Sequence, residues 1–173
     1  VAHTKLSHSR AFIVRAYLLQ THEMLFDALT QAFRVLGGVP QRGIFDNMKT
    51  AVDKIGRGKA RQVNARFAAL ASHYLFETDF CNPASGWEKG QVEKNVQDAR
   101  HRLWQPMPSF PDLAALNAWL EEQCIAQWAD IQHGVLPGTI ADVHADEVRS
   151  LMPVGRPFDG FVEHTKRVSP TCL

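Results

Sequence analysis

Cysteine is scarce in this chain. Cys81, Cys124 and Cys172 stand far apart, and none has C-x-x-C spacing. That argues against a disulfide framework and a structural zinc site, and it fits a reducing cytoplasm. No apolar run approaches the length of a membrane span, and no signal peptide is recognisable. There is no G-x-G-x-x-G, no Walker-A loop and no G-x-S-x-G elbow. A nucleotide cofactor and a hydrolase-type nucleophile are therefore not expected. Charge of one sign is also missing: the net charge is +1. Any argument for nucleic acid must rest on local clusters. The eight histidines are scattered without the spacing of a helical metal pair, so they read as surface or core-edge residues. Internal repeats and low-complexity segments are absent as well.

What is present is ordinary for a soluble globular domain. The 173 residues are 45% hydrophobic and 21% charged, enough for one proper core. The chain opens on Val1 in strand-like sequence and stops at Thr171-Cys172-Leu173, so both ends are expected to be cut from a longer protein. Residues 1–19 read as two strands around a tight turn at Ser7-His8-Ser9-Arg10. Thr21 is placed to cap a helix with Leu25, Leu29, Ala32, Phe33 and Leu36 on one face, ended by Gly37-Gly38. Gly43-Ile44-Phe45 is a short strand with Asp46 at its end. Residues 47–62 show no period and hold Lys49, Lys54, Arg57, Lys59 and Arg61. They read either as a solvated loop or as a mobile basic loop that meets phosphates.

A second helix is expected with Val63, Phe67, Leu70, Ala71 and Tyr74 on one face, then a strand from Leu75 to Phe80. A Pro/Gly loop follows and runs into a helix whose Val92, Val96, Ala99 and Leu103 recur at helical spacing. Glu93 borders that buried face. Further helices are expected over 112–128, with Leu113, Leu116, Leu120 and Cys124 on one face, and over 139–151. Strands alternating with helices argue an α/β sheet with helices on its faces. In such sheets sites gather at the carboxyl edge, which makes Asp46 and Glu93 the best candidates for chemistry. Taken singly, an Asp at a strand end is commonly a turn residue and a Glu on a helix is commonly solvated. Two such acids in one cleft suit a hard cation such as Mg²⁺, which binds a few carboxylate oxygens and keeps several waters. An unrelated α/β nuclease would need another acid, such as Asp79, to converge on them.

Several blocks resemble the IstA-type DDE transposases of insertion sequences. Leu36-Gly37-Gly38-Val39-Pro40 followed by Asp46-Asn47-Met48-Lys49-Thr50-Ala51-Val52 is similar to their second-aspartate block. Gly86 to Asn95 resembles the third block, where a Gly-Lys-Val-Glu-Arg-like run carries the last acid. Leu6-Ser7-His8-Ser9-Arg10 resembles their hairpin turn, and His133-Gly134 resembles an Asn-x-x-x-His-Gly-type tail. The likeness covers most of residues 1–160.

The resemblance implies an RNase H-like integrase core, a mixed sheet with flanking helices, here without its N-terminal central strand and first aspartate. It divides the chain into a core over 1–130 and a helical extension and linker over 131–173. It implies metal-dependent DNA cleavage and strand transfer with two Mg²⁺ or Mn²⁺ ions. Asp46 and Glu93 would be the metal-binding catalytic acids, and Lys49, Lys54, Arg57, Lys59, Arg61, Lys89, Lys94 and Arg100 would lie along the DNA. The implied partners are transposon-end and target DNA, further copies of the protein on that DNA, and an IstB-type AAA+ helper ATPase, in the bacterial cytoplasm at the nucleoid. The alternative is an inactive remnant that serves only as a DNA-binding or structural module.

Overall fold

The structure, a computed structural model, describes residues 1–46, 52–55, 61–81, 103 and 109–160. It is mixed α/β. Strands β1 (Ala2–Lys5) and β2 (Phe12–Arg15) form an antiparallel hairpin that sets Ala2 opposite Arg15 and Lys5 opposite Phe12. Helix α1 (His22–Leu36) leads to β3 (Arg42–Phe45). Strands β4 (Val52–Ile55) and β5 (Arg61–Val63) pair antiparallel. Helix α2 (Ala65–Tyr74) then returns the chain to β6 (Glu77–Phe80), which lies parallel to β3 with Arg42 opposite Glu77. Helices α3 (Leu113–Asp130) and α4 (Ile140–Glu147) follow, and a 3₁₀ turn covers Val148–Ser150.

Helix α1 begins and ends where its residues require. The Thr21 hydroxyl accepts from the Met24 N–H, which satisfies one of the free amides of the first turn. Gly37 sits at φ 75°, a left-handed conformation that a side chain would strain, and the Gly38 N–H reaches back to the Phe33 carbonyl. A Cβ on Gly38 would lie 2.3 Å from Leu151 Cβ, so that close approach also needs glycine.

Two adjacent stripes of α1 enter two different cores. Ala32 and Leu36 pack with Phe12, Ile13 and Val14 of the hairpin, with Leu120, Cys124 and Trp128 of α3, and with Leu103. Phe26, Leu29 and Phe33 pack with Phe45, Phe67, Leu70, Tyr74 and Phe76. The single apolar face expected for α1 is thus divided between two partners.

Several expectations need correction. Residues 47–62 are not wholly a loop, because 52–55 and 61–63 form a hairpin; that also removes Val63 from α2. The second strand stops at Arg15 rather than near Leu19. The last pair in the register is Ala2 with Arg15, and at Ala16 a side chain of α3, Asn117, takes both polar groups of the backbone. Leu75 is not in a strand but caps α2 at φ 60°. The last helix ends at Glu147 and tightens into the 3₁₀ turn. Beyond these corrections, residues 152–158 pack onto the domain. Met152 exchanges two backbone hydrogen bonds with Val39, and Val154 and Phe158 cover the second core.

Candidate active site

The site is built on the parallel pair. Alternate residues of a strand point to opposite faces. Phe45 turns into the second core, where its ring meets Phe67 at 4.9 Å, edge to face. Arg42, Ile44 and Asp46 share the other face, and all three are exposed. The Cys81 N–H donates to the Phe45 carbonyl at 2.9 Å, so the ladder runs to the point where Asp46 leaves the strand. Asp46 therefore stands at the carboxyl end of β3, on the uncovered side of the β3–β6 pair. That edge is where α/β folds place their ligands, because the strand ends and the loops after them converge there.

Asp79 shares this face but is turned elsewhere. It pairs with Ile44 in the register, two positions short of Asp46, and its carboxylate takes the Arg42 guanidinium at 2.9 Å. Among the described residues, no group of three His, Cys, Asp or Glu could hold a metal ion. Glu93 lies outside the described residues, as do Lys49, Arg57, Lys59, Lys89, Lys94 and Arg100, so their placement relative to Asp46 is not part of this geometry. Lys54 and Arg61 fall on β4 and β5, one position apart in the register of a single hairpin. Sequence reasoning missed that hairpin, although Gly56 and Gly58 between two alternating segments were its signal.

Among the described residues, three further arginines are paired with acids. Arg15 meets Asp27 at 3.2 Å, Arg34 meets Glu121 at 2.6 Å and Arg66 meets Glu23 at 2.8 Å. The Glu23 carboxyl is held down at about 2, first by a hydrogen bond from its own backbone amide and then by Arg66. Tyr17 donates to Asp27 at 2.6 Å; burial, and then that carboxylate, raise its phenol well above the ordinary tyrosine value.

One histidine is buried more deeply than the surface or core-edge role expected of it. His133 is 3% exposed. Its Nε2 lies 2.8 Å from the His8 carbonyl, its Nδ1 accepts from the Leu136 N–H, and its own carbonyl accepts from Arg10 Nη1 at 2.7 Å. The Ser9 N–H donates to Glu147 at 2.9 Å. The turn between β1 and β2 is thereby clasped by the segment around α4. A histidine without periodic apolar neighbours gives no local sign of such burial, because the His8 and Arg10 that it meets are more than a hundred residues away.

An α/β stretch with an acid at the end of a parallel strand defines only a broad class. Comparison with known proteins narrows it. No protein-family model matches the chain. Over all 173 residues it is 73% identical to a transposase of Aminobacter aminovorans. It is 61% identical over the same span to the transposase for insertion sequences IS1326/IS1353 of Pseudomonas aeruginosa. Over 125 residues it is 36% identical to the transposase for insertion sequence element IS21 of the same species. Along its whole length the chain is related to insertion-sequence transposases. It spans about a third of the length of the first two relatives, 34% of each. Among the described residues, no helix is long and apolar enough to cross a membrane.

Proposed function

We propose that this stretch is the part of an IstA-type DDE transposase core that carries the second and third acids, Asp46 and Glu93. The observation that carries the reading is the strand pattern around α1. An antiparallel hairpin and a parallel β3–β6 pair both pack on that helix, and in the described sheets β1 and β3 each pair on one side only. An RNase H-like sheet has this arrangement when one more strand, bearing the first aspartate, lies between β1 and β3. Residues 1–130 are then the core, and 131–173 an extension clasped to it through His133 and Glu147.

Asp46 is an exposed carboxylate and fits the hard-oxygen preference of Mg²⁺ or Mn²⁺. With Glu93 and the first aspartate it would hold two ions, which stabilise the attacking and leaving oxygens of an in-line phosphoryl displacement. The acids act as ligands and not as proton donors. Lys54 and Arg61 on the β4–β5 hairpin, with Lys49, Arg57, Lys59, Lys89, Lys94 and Arg100, meet phosphates of the transposon ends and target. In the cell the protein works as copies assembled on DNA, with an IstB-type helper, in the bacterial cytoplasm at the nucleoid.

The test compares the 173-residue chain with a longer one that includes the preceding strand and its aspartate. The short chain is expected to be marginally stable or self-associating and to lack strand transfer. The long one should melt cooperatively and nick a transposon-end duplex with Mg²⁺ or Mn²⁺. In the long chain, Asp46→Asn and Glu93→Gln should each abolish nicking while duplex binding persists. Binding without nicking in the unsubstituted long chain would assign the stretch to a DNA-binding module instead. Each neutralised phosphate contributes about 0.9 to the slope of log affinity against log salt, so reversing charge at Arg57, Lys59 and Arg61 should flatten that slope.

A further inference from the structure

Alternate residues of an antiparallel strand bond toward the partner and away from it. The Leu6 N–H donates to the Ala11 carbonyl at 2.8 Å, so Ala11, Ile13 and Arg15 bond toward β1. Phe12, Val14 and Ala16 therefore turn their amides and carbonyls outward. Such an edge is a ready template for another strand.

Here a helix meets that edge with side chains. Asn117 accepts from the Ala16 N–H at 2.7 Å and donates to the Ala16 carbonyl at 3.1 Å. Its amide copies the paired donor and acceptor of a neighbouring strand residue. Burial raises the Cys124 thiol, and the nearby Val14 amide partly offsets that rise. Trp128 Nε1 donates to the Phe12 carbonyl at 2.9 Å. Residues 117, 124 and 128 are seven and four apart, one face of a helix. All three are buried.

We infer that α3 is a side-chain substitute for a strand on the outer edge of β2, which leaves β1 as the hairpin's edge for growth. The Phe12 carbonyl and both polar groups of Ala16 each meet a polar side chain where a packed helix would otherwise leave them unsatisfied. The helix covers the edge more firmly than apolar packing alone, because it fills the hydrogen-bonding positions an invading strand would need. A strand joining this hairpin must pair along β1. The inference is independent of any catalytic role for Asp46.

Residue-resolved amide hydrogen exchange on the longer chain that includes the preceding strand tests it. Asn117→Leu should speed exchange at Ala16 by tenfold or more, with Ile13 and Arg15, which bond to β1, left as in the parent. Cys124→Ala, a smaller change on the same buried face that leaves the Asn117 bonds in place, should leave Ala16 as in the parent. Unchanged exchange at Ala16 in Asn117→Leu would mean that packing closes the edge, and would overturn the inference. So would an equal rise at Ile13 and Arg15, which would mark general loosening of the hairpin.

Discussion

The two halves that meet on α1 are built in different ways. The hairpin half is mainly aliphatic, with Leu6, Ile13, Val14, Leu36, Leu120 and Ile140 around Trp128 and Phe12. Its polar groups turn inward: Asn117, Cys124 and Trp128 on β2, and His133 and Glu147 on the turn. The other half is aromatic. Phe33 meets Tyr74 and Phe76 edge-on at 5.2 and 5.7 Å, and Phe45 meets Phe67 likewise. Its charged residues, Arg42, Asp46, Glu77 and Asp79, lie on the outer face of the β3–β6 pair. One half is a closed framework. The other presents its chemistry outward from a rigid bed of rings, and α1 ties the two together.

The sharpest way to break that comparison is to cut into the aromatic half. Phe67 is fully buried, and Phe67→Ala should destabilise by about 3–5 kcal/mol through lost burial and a residual cavity. Because α1 belongs to both cores, denaturant melts by far-UV circular dichroism and tryptophan fluorescence should shift together. Trp128 reports the aliphatic half, so a shift in the first signal alone would show that the halves unfold separately.

The next effect belongs to the hairpin. Burial, and then Lys5, lower the His3 imidazole from 6.5 to about 4. The unfolded chain takes up this proton first. Stability should therefore be complete above pH 6.5 and fall as the pH drops toward 4, by about 1–2 kcal/mol after allowing for partial exposure. His3→Phe, which keeps the stacking on Phe12, should flatten the melting midpoint across that window. An undiminished slope would acquit His3.

A smaller effect is expected at the start of α4. Thr139→Ala removes the capping box with Asp142 and should cost about 1 kcal/mol in a denaturant melt. The Thr139 amide and hydroxyl lower the Asp142 carboxyl below its usual 3.8. Their contribution is complete above that value and disappears as the pH falls through the lowered native one, a window below that of His3. The least effect belongs to Arg66, which meets Glu23 and lies over the Phe26 ring at 5.3 Å. Arg66→Met should cost under about 1 kcal/mol and lose its salt dependence. A larger loss would mean that this pair fastens α1 to α2.

The sequence shows local features well and distant ones poorly. Thr21, Gly37-Gly38 and the apolar face of α1 are readable because capping and helical periodicity are local. The β1–β2 turn and the strand before Asp46 are readable for the same reason. The division of α1 between two cores is not, since nothing within a helix says which of two neighbours each stripe will meet. In the sequence Cys124 reads as part of an apolar face, and nothing local singles out Asn117. Their role appears only when β2, about a hundred residues earlier, is beside them. At the candidate site the acid at the end of β3 was legible, and the Arg42–Asp79 pair was not, because register across a parallel crossover is set by tertiary packing.

The closure of β2 by α3 also has a consequence in time. Phe12 and Trp128 are 116 residues apart. At roughly 5–20 residues per second, a ribosome needs on the order of 6–23 s to make that interval. For that period the nascent hairpin has its outward amides and carbonyls open while α1 and the aromatic half emerge behind it. Early mispairing is thus a hazard set by gene order, and slow translation between the hairpin and α3 would prolong it.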